Sequence, residues 1–452
     1  MKKWITGCWL LLLTCTATAQ RLLMERPAVE ISIDKAFKYA EIRTWKFNLP
    51  NGVSLVVRPD ENVPYIQLRG FCNGGAMGMP AADYYAAIHA GAIIGQSGAG
   101  KYSSDTLAAL LHAQQMNLQF AIEDNRTLIK AACKKEDLET LLQLVCLYCT
   151  APQKNTAVYQ QYMQQLKSKP QTGLYALTLN NLLGTHAGDI TPAVIRSITL
   201  EKACHAFQQC FGNASGFTFV ITGDLNANGM NNSRLTPLIA KYLGTLPAAG
   251  TGKKPAVKPL EIPATGILKT VKAGADTLIT TTVAFRNNYV FSDSANLQLK
   301  IAARIFYKRL VHERRIAGLT LQALSYALNF YKTPLQQYSW QLSYTCAAAQ
   351  AAQMQQVFQS VMKSMQDSIA MVEIKDYTDR ARQDLKRNFT NNAFWTDYLL
   401  AQCYVQEPPD VIAGYPYNYR MATPETVLQM ARQVWSSKNY IQVTAMPGTK
   451  NL

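Results

Sequence analysis

Two candidate catalytic motifs lie close together near the start of the chain, and the first would be a zinc site. A zinc-peptidase helix of the form His-x-x-Glu-His carries two imidazoles one helical turn apart and a glutamate that activates the metal-bound water. His89 could begin such a motif, but Ala92 occupies the glutamate position and Ile93 the position of the second histidine. A hydrolytic zinc ion needs three protein ligands. We therefore interpret His89 as an ordinary helix residue, and Ala92 and Ile93 as degenerate motif positions.

The second candidate is a phosphate-binding loop. Residues 95–101 fit Gly-x-x-x-x-Gly-Lys, a loop whose backbone amides hold phosphates. The next residue should be serine or threonine, because its hydroxyl binds magnesium, yet Tyr102 stands there. The glycines also follow an apparent helix rather than a strand. We expect a turn between two helices and no bound nucleotide.

Composition and charge narrow the class of partner. The chain has 452 residues, of which 48% are hydrophobic, so it can bury a large core and form about two to three domains. Its formal charge of +16 favours acidic partners or surfaces. The basic residues are spread thinly, however, and accompany no nucleic-acid-binding motif. We expect a solvated basic surface and no nucleic-acid partner.

The N-terminus has the features of a secretory signal peptide over residues 1–19. Lysines at positions 2 and 3 precede an apolar run over 9–13, and small residues over 17–19 form a cleavage site. Cys15 leaves lipid anchoring as a minor alternative. Nothing later in the sequence is long and apolar enough to cross a bilayer. We predict an exported protein of the periplasm without a transmembrane helix.

Eight of the ten cysteines follow the predicted signal peptide. An oxidising compartment permits disulfides between them without requiring any, so their pairing stays open. Cys146 and Cys149 have the spacing of a redox motif, but they lie in an apolar helical run rather than at a strand-to-helix turn. We interpret these cysteines as small apolar core residues.

The hydrophobic pattern of the first half alternates between strands and helices. An Asn-Gly pair at 51–52 favours a tight two-residue hairpin turn, and Ser103 or Ser104 can cap a helix. The expected strands are 43–49, 53–58, 65–73, 118–123, 127–133 and 216–223, and the expected helices are 81–94, 103–116, 136–149, 157–167 and 200–210. This order predicts an α+β fold with mostly antiparallel pairing.

The second half repeats this order. A stretch rich in Pro, Gly and Lys at 247–266 has no apolar period and is interpreted as a flexible linker. After it we expect strands at 267–273 and 277–285, a helix at 295–314, a hairpin within 320–346, and a closing helix and strand at 424–435 and 440–445. The closing pair repeats a pair of the first half after about 223 residues. We therefore predict two similar domains, 20–246 and 267–452.

Several short motifs, taken in this order, resemble the pitrilysin/insulinase family of zinc peptidases. They are the hairpin Leu49-Pro50-Asn51-Gly52-Val53, Gly74-Gly75 after the third strand, Lys135-Glu136-Asp137-Leu138-Glu139 at a helix start, Thr150-Ala151-Pro152 at its end, and the strand Phe217 to Asp224. The resemblance covers nearly all of the sequence after the signal peptide. It implies the metalloenzyme LuxS/peptidase-like fold, with two similar domains in which a mostly antiparallel sheet packs against helices.

The resemblance also implies where a zinc site would lie. In that family the helix matching 84–94 carries His-x-x-Glu-His, and a glutamate on the helix matching 157–167 completes the ligand set. This chain has no glutamate between Glu139 and Glu201. The expected homologue therefore has no metal site or cofactor of its own, and zinc is expected only in a partner subunit.

The family further grips its substrate with an arginine and a tyrosine of the second half. Counted from Gly318, the matching positions hold Arg314 and Leu321. Arg314 is thus the candidate substrate-binding residue, although a basic residue at a helix end is also favoured by the helix dipole. The tyrosine has no counterpart at Leu321.

Three functions remain open at this point. The first is a catalytically inactive homologue that pairs with a zinc-bearing subunit and helps to enclose peptides for proteolysis, since a sheet edge can accept an extended peptide as an added strand. The second is a stand-alone peptide-binding or scaffold protein of the cell envelope. The third is an active enzyme with displaced ligands or a nucleotide requirement. We favour the first and keep the second as the alternative.

Overall fold

The structure is a computed structural model that describes residues 23–24, 26–28, 42–225, 235–248, 256–273 and 277–447. The predicted signal peptide and Cys15 lie outside these residues, as does the part of the predicted linker from 249 to 255. Within the described residues, two β-sheets, one in each half of the chain, form the framework on which the helices pack.

The first sheet has six strands in the spatial order β1-β2-β6-β3-β5-β4. Their bounds are β1 Trp45–Asn48, β2 Ser54–Pro59, β3 Tyr65–Asn73, β4 Asn117–Ile122, β5 Arg126–Lys134 and β6 Thr218–Gly223. β2 and β6 are parallel, and the other neighbours are antiparallel. β6 is buried along nearly its whole length, as a continuous apolar strand in the middle of a covered sheet should be.

The second sheet has five strands in the order β7-β11-β8-β10-β9. Their bounds are β7 Ile267–Lys272, β8 Leu278–Asn288, β9 Leu321–Tyr331, β10 Gln337–Ala347 and β11 Tyr440–Met446. β7 and β11 are parallel and the rest antiparallel, so this sheet reproduces the order and directions of the first without β1. The prediction of an α+β fold with two similar halves is confirmed.

Fourteen helices surround the sheets within the described residues. Their bounds are α1 Tyr84–Ile94, α2 Ser104–Ala113, α3 Leu138–Thr150, α4 Thr156–Ser168, α5 Leu174–Leu183, α6 Pro192–Ser197, α7 Leu200–Phe211, α8 Leu235–Leu238, α9 Asp293–Ile316, α10 Ala351–Asp367, α11 Met371–Asn388, α12 Asn392–Val405, α13 Val411–Met421 and α14 Pro424–Trp435. Ser103 caps α2 as predicted, because its side chain accepts a hydrogen bond from the amide of Thr106.

Each sheet packs one face against helices of its own half. In the first half, the rings of Phe120, Phe207 and Phe211 meet with centroids 4.5 to 5.3 Å apart at the centre of the core. In the second half, Phe306 stacks on Trp435 at 4.9 Å, and Trp340 contacts both rings from β10. These aromatic clusters fix the helix layers on the sheets.

The opposite face of each sheet is covered by a helix from the other half. α12 lies across β3 and β6 of the first sheet, where Trp395 and Leu399 pack against Val56 and Val220. α5 lies in the same way against β7 and β11 of the second sheet, with Leu183 beside Val443. The two halves therefore bury apolar surface in a reciprocal exchange of helices.

Polar contacts accompany both exchanged helices. The hydroxyls of Thr222 on β6 and Thr396 on α12 lie 2.5 Å apart in a buried position. The hydroxyls of Tyr175 on α5 and Thr282 on β8 lie 2.6 Å apart. Because each pair joins a strand of one half to a helix of the other, it fixes the register of the exchange as well as satisfying buried polar groups.

The structure differs from the sequence prediction in several places. It adds α5, α6, α8 and α10 to α13, which were not predicted. The first hairpin turn has positive φ only at Gly52, at 78°, so it is a three-residue connection rather than the two-residue turn. Residues 256–266 form no helix or strand, but the backbone of Lys258 is held by the Asn125 side chain in two hydrogen bonds of 2.8 Å. The domain boundaries remain a prediction.

No helix among the described residues combines the length and the apolar character needed to cross a bilayer.

Truncation of the exchanged helix should destabilise the fold. Leu399 on α12 is fully buried against the first sheet, so we expect Leu399→Ala to lower the free energy of unfolding by about 2–5 kcal/mol. Thermal unfolding followed by circular dichroism measures the effect. Leu268→Ala, at a position 63% exposed on β7, is the matched control and should change the midpoint little. Equal midpoints for the two variants would contradict the proposed packing role of α12.

Candidate functional site

The candidate site is formed by helix α1 and the edge strand β4. The inner face of α1 carries small residues, and this lets the helix approach β4 closely. A Cβ at Gly91 would lie 2.1 Å from the carbonyl oxygen of Phe120, so a larger residue there would push the helix away from the strand. Glycine at this position therefore fixes α1 directly against the edge of the sheet.

β4 is an edge strand of the first sheet and is paired only with β5 among the described strands. The hairpin bond from the Glu123 amide to the Arg126 carbonyl, 2.7 Å long, sets the alternation of the ladder. It directs the amides of Leu118, Phe120 and Ile122 away from β5. The Phe120 carbonyl follows the same direction, towards α1. Because α1 covers the Phe120 carbonyl, the outward backbone groups that an extended peptide could pair with lie nearer the start of β4, at Leu118.

His89 points from α1 towards α4, where it meets Tyr162. The imidazole Nδ1 and the tyrosine hydroxyl lie 2.6 Å apart, and the two rings are 5.7 Å apart. The other ring nitrogen, Nε2, is buried and has no hydrogen-bond partner among the described residues. Tyr162 lies on the helix where the resemblance places a zinc-binding glutamate. A histidine–tyrosine pair therefore joins the two helices on which the resemblance places metal ligands.

Burial governs the charge state of His89. It lowers the pKa of the imidazole to about 4, and the positive charge of Lys169 adds to the effect. Burial also raises the pKa of the Tyr162 phenol. Both side chains are therefore neutral at physiological pH, which suits the hydrogen bond between them.

The surrounding residues do not fit a zinc ion. Ile93, at the position of the second histidine, is fully buried and apolar, and Ala92 offers no donor atom. No group of three or more His, Cys, Asp or Glu side chains within the described part of the chain is placed to hold a metal ion. One imidazole bound to a tyrosine cannot supply the three ligands that catalytic zinc requires.

Asp189 ties the start of α1 to the segment after α5. Its carboxylate is 3% exposed and accepts hydrogen bonds from the Asn180 amide at 2.7 Å and the Tyr85 hydroxyl at 3.3 Å. The Nδ1 of His186 lies 3.1 Å from the same carboxylate. Since both oxygens are engaged, Asp189 positions α1 rather than acting as a free base.

Tyr84 adds a second tie at the start of the helix. Its hydroxyl donates to Asp124 at 2.5 Å, in the turn between β4 and β5. Burial and the neighbouring carboxylate raise the pKa of this phenol well above its usual range. The phenol is therefore a hydrogen-bond donor that joins α1 to the hairpin of the edge strand.

The second-half candidates lie on α9 and at the start of β9. Arg314, in the last turn of α9, donates from one guanidinium nitrogen to the carbonyl of Leu319 at 3.2 Å. Leu321 is partly buried and packs against the second core. Neither residue has a hydrogen bond or ion pair to α1 or α4 within the described chain. A substrate-binding role for Arg314 stays a prediction.

The phosphate-loop sequence forms the turn between α1 and α2 that was predicted for it. Gly98 and Gly100 have positive φ angles of 93° and 58°. The amides of Ala99 and Gly100 are already bonded to the carbonyls of Tyr102 and Ala151, at 3.1 and 2.8 Å. These loop amides are therefore hydrogen-bonded within the protein and are not directed at a phosphate.

The cysteines are thiols in the structure. Among the eight described, seven are buried and Cys403 is partly buried. Burial raises the pKa of Cys133 and Cys146 to about 12. Because the thiolate is the reactive form, these groups are inert packing residues.

Comparison with known proteins shows what this chain is similar to. The family model that describes the peptidase M16 inactive domain matches residues 197–379. The chain is a homologue of the pitrilysin/insulinase peptidases. It is also 18% identical over 412 residues to a probable zinc protease PqqL of Haemophilus influenzae, covering 86% of this chain and 42% of that protein.

Solved structures of this family share the fold. The periplasmic protease PqqL from Escherichia coli superimposes with a TM-score of 0.80 at 18% identity, over 94% of this chain and 47% of that one. A peptidase M16 inactive domain from Pseudomonas fluorescens gives 0.74 at 15% identity, over 90% of this chain and 98% of that one. The chain spans less than half the length of the curated relatives it matches.

Sequence reasoning predicted that this pitrilysin-like homologue lacks zinc ligands, but it did not identify the hydrogen bonds that Tyr162 and Asp189 make with α1. Tyr162 and Asp189 carry no local motif, and each acts through a residue on α1 that is distant in sequence. A tyrosine on the helix where the family carries a glutamate was the available signal. It becomes meaningful only when α1 and α4 are known to face each other.

The buried imidazole should make stability depend on pH. The folded pKa of His89 lies below its usual 6.5, so its contribution is complete above pH 6.5 and is lost as pH falls towards 4. The loss is up to about 1.4 kcal/mol per pH unit. We expect His89→Asn, which keeps a group able to bond Tyr162 but does not titrate, to be less sensitive than wild type between pH 6.5 and 4.5.

Urea or thermal unfolding at pH 7.0, 5.5 and 4.5 measures this difference. His112→Asn is the control, since His112 is an exposed histidine on α2 and its loss should leave the wild-type pH profile unchanged. An unaltered profile for His89→Asn would show that His89 protonates freely in the folded state.

Proposed function

We propose that this homologue holds extended peptides at the edge strand β4 and does not cleave them itself. The observation that carries the proposal is an edge strand beside α1 without the ligands of a metal site. α1 packs against β4 at Phe120 and leaves the start of the strand beside it, while His89 and Tyr162 bond each other on the two helices to which the resemblance assigns zinc ligands. A peptide added to β4 would meet a neutral polar pair instead of a metal-bound water.

Backbone pairing explains how such a site could hold many sequences. An added strand bonds through amides and carbonyls that every residue has, and side chains contribute only through pockets beside the edge. Asn117, Leu118 and Gln119 at the start of β4 are exposed or half-buried. They leave room for a partner strand, whereas Phe120 and Ile122 are buried in the first core.

Hydrolysis would come from a zinc-bearing homologous subunit that pairs with this one. Three observations support pairing: the match to the inactive domain of a peptidase family, the missing ligand set at α1, and relatives about twice as long as the matched region. The paired assembly would enclose the peptide between a holding unit and a cleaving unit.

The proposed location is the periplasm. The predicted signal peptide over residues 1–19 supports export, and the Escherichia coli relative is described as a periplasmic protease. In that compartment the excess of basic residues would favour encounter with acidic peptides.

Removing one outward amide of β4 should weaken peptide binding. Leu118→Pro deletes a donor that points away from β5, so the ladder to β5 keeps its bonds and the edge strand tolerates the change. We expect binding of a fluorescein-labelled ten-residue peptide, capped at both ends, to fall at least about tenfold by fluorescence anisotropy.

Leu118→Ala is the matched control, because it removes the same side chain and keeps the amide. It should bind nearly as well as the wild-type protein. Equal binding by the proline and alanine variants, with both folded by circular dichroism, would rule out β4 as the peptide-binding edge.

Pairing is tested by co-expression with a zinc-bearing homologue from the same source. We expect a complex on size-exclusion chromatography and a peptidase activity that a chelator removes, with neither chain active alone. A monomer that retains peptides uncut beside this partner would favour the stand-alone alternative. Stoichiometric zinc and chelator-sensitive cleavage in the isolated chain would overturn the proposal.

A further inference from the structure

A cavity of about 400 Å³ lies between the halves, and its lining includes no residue of α1 or β4. Its walls come from the start of α9, the end of β9, the exchanged helix α12 and the tyrosines of α13, and the first half contributes Arg126 from β5. This volume suits a small molecule rather than a folded partner.

Two charged side chains in the cavity wall attract each other, and Lys332 also attracts the carboxylate, but neither of the two is held in an ion pair within the described residues. Asp293 and Lys300 form no ion pair or hydrogen bond with any residue in the described part of the chain. The other two charges of the wall are occupied, since Arg126 binds Glu123 at 2.7 Å and Glu407 binds Lys332. The unpaired charges are therefore one carboxylate and one ammonium.

The surroundings disfavour the charged form of both groups. Burial raises the pKa of Asp293 and lowers that of Lys300. Solvent still reaches Lys300, whose ammonium lies 5.5 Å from the centre of the Phe330 ring. A ligand that supplied the opposite charge at each position would stabilise the charged form of both side chains.

The spacing of the two residues along α9 sets the expected length of such a ligand. Asp293 and Lys300 are seven residues apart, so their Cα atoms lie on the same side of the helix about 10.5 Å apart along its axis. Three residues of extended peptide span about 10–11 Å. The ammonium and carboxylate of a free tripeptide therefore match the two positions.

Aromatic rings line the space between the charges. They belong to Phe291, Phe330, Tyr377, Tyr404, Tyr415 and Tyr419. Such a wall favours an aromatic side chain on the ligand, through edge and face contacts between rings.

We propose that this cavity binds a free tripeptide that carries an aromatic side chain, with its amino terminus at Asp293 and its carboxylate at Lys300. The site is separate from the edge strand β4 and does not depend on peptide binding there. The cavity recognises both ends of a short peptide, whereas strand addition at β4 recognises the middle of a long peptide chain.

The test is isothermal titration calorimetry with Phe-Ala-Phe in three forms: free, acetylated at the amino terminus, and amidated at the carboxyl terminus. We expect the free form to bind the wild-type protein and each cap to weaken binding about tenfold. In Asp293→Asn, acetylation should no longer matter, and in Lys300→Gln, amidation should no longer matter. Lys363→Gln, at an exposed position on α10, should behave as wild type.

Two results would overturn the assignment. One is the absence of saturable binding of free Phe-Ala-Phe to the wild-type protein at millimolar concentration. The other is a penalty for each cap that stays the same in the matching variant. The capped ten-residue peptide used for β4 lacks both terminal charges, so failure of either site can be recognised independently of the other.

Discussion

The approach of α1 to the backbone of β4 at Gly91 and Phe120 is the contact on which the candidate site depends. A Cβ at Gly91 would collide with the Phe120 carbonyl at 2.1 Å, so the helix can sit there only because that residue is glycine. This packing fixes the direction of His89 towards α4 and leaves the edge strand beside the helix. Nothing in this packing requires a metal ion, so α1 and β4 can keep their arrangement without zinc ligands.

The contact between His89 and Tyr162 shows how a buried polar position can be kept without a metal. A charged imidazole at this place would have no anion beside it and would lie close to Lys169, so the neutral form is favoured. For a neutral imidazole, one well-placed hydrogen-bond partner matters more than a second one. A tyrosine hydroxyl provides it. A carboxylate on α4 would instead demand a cation, either a metal or a protonated histidine.

The sequence was sufficient to predict the helices and strands that pack within their own half of the chain. The alternation within β3 and β5, the Asp-Asn turn between β4 and β5, and the closing helix and strand pair of each half are all local patterns. α12 could not be placed in this way. Its apolar residues Trp395 and Leu399 pack against Val56 and Val220, which are more than 170 residues away, and no periodicity within the helix states which sheet it covers.

The duplicated topology also explains why the two halves offer different chemistry. β9 occupies the same edge of the second sheet as β4 does in the first, and α9 follows β8 as α1 follows β3. α1 carries alanine and glycine where it contacts its edge strand, and its one histidine is half-buried. α9 is longer and carries larger buried side chains, and Asp293 and Lys300 near its start line a cavity. Small side chains thus bring helix and edge strand together in the first half, whereas in the second half a cavity lies beside the helix.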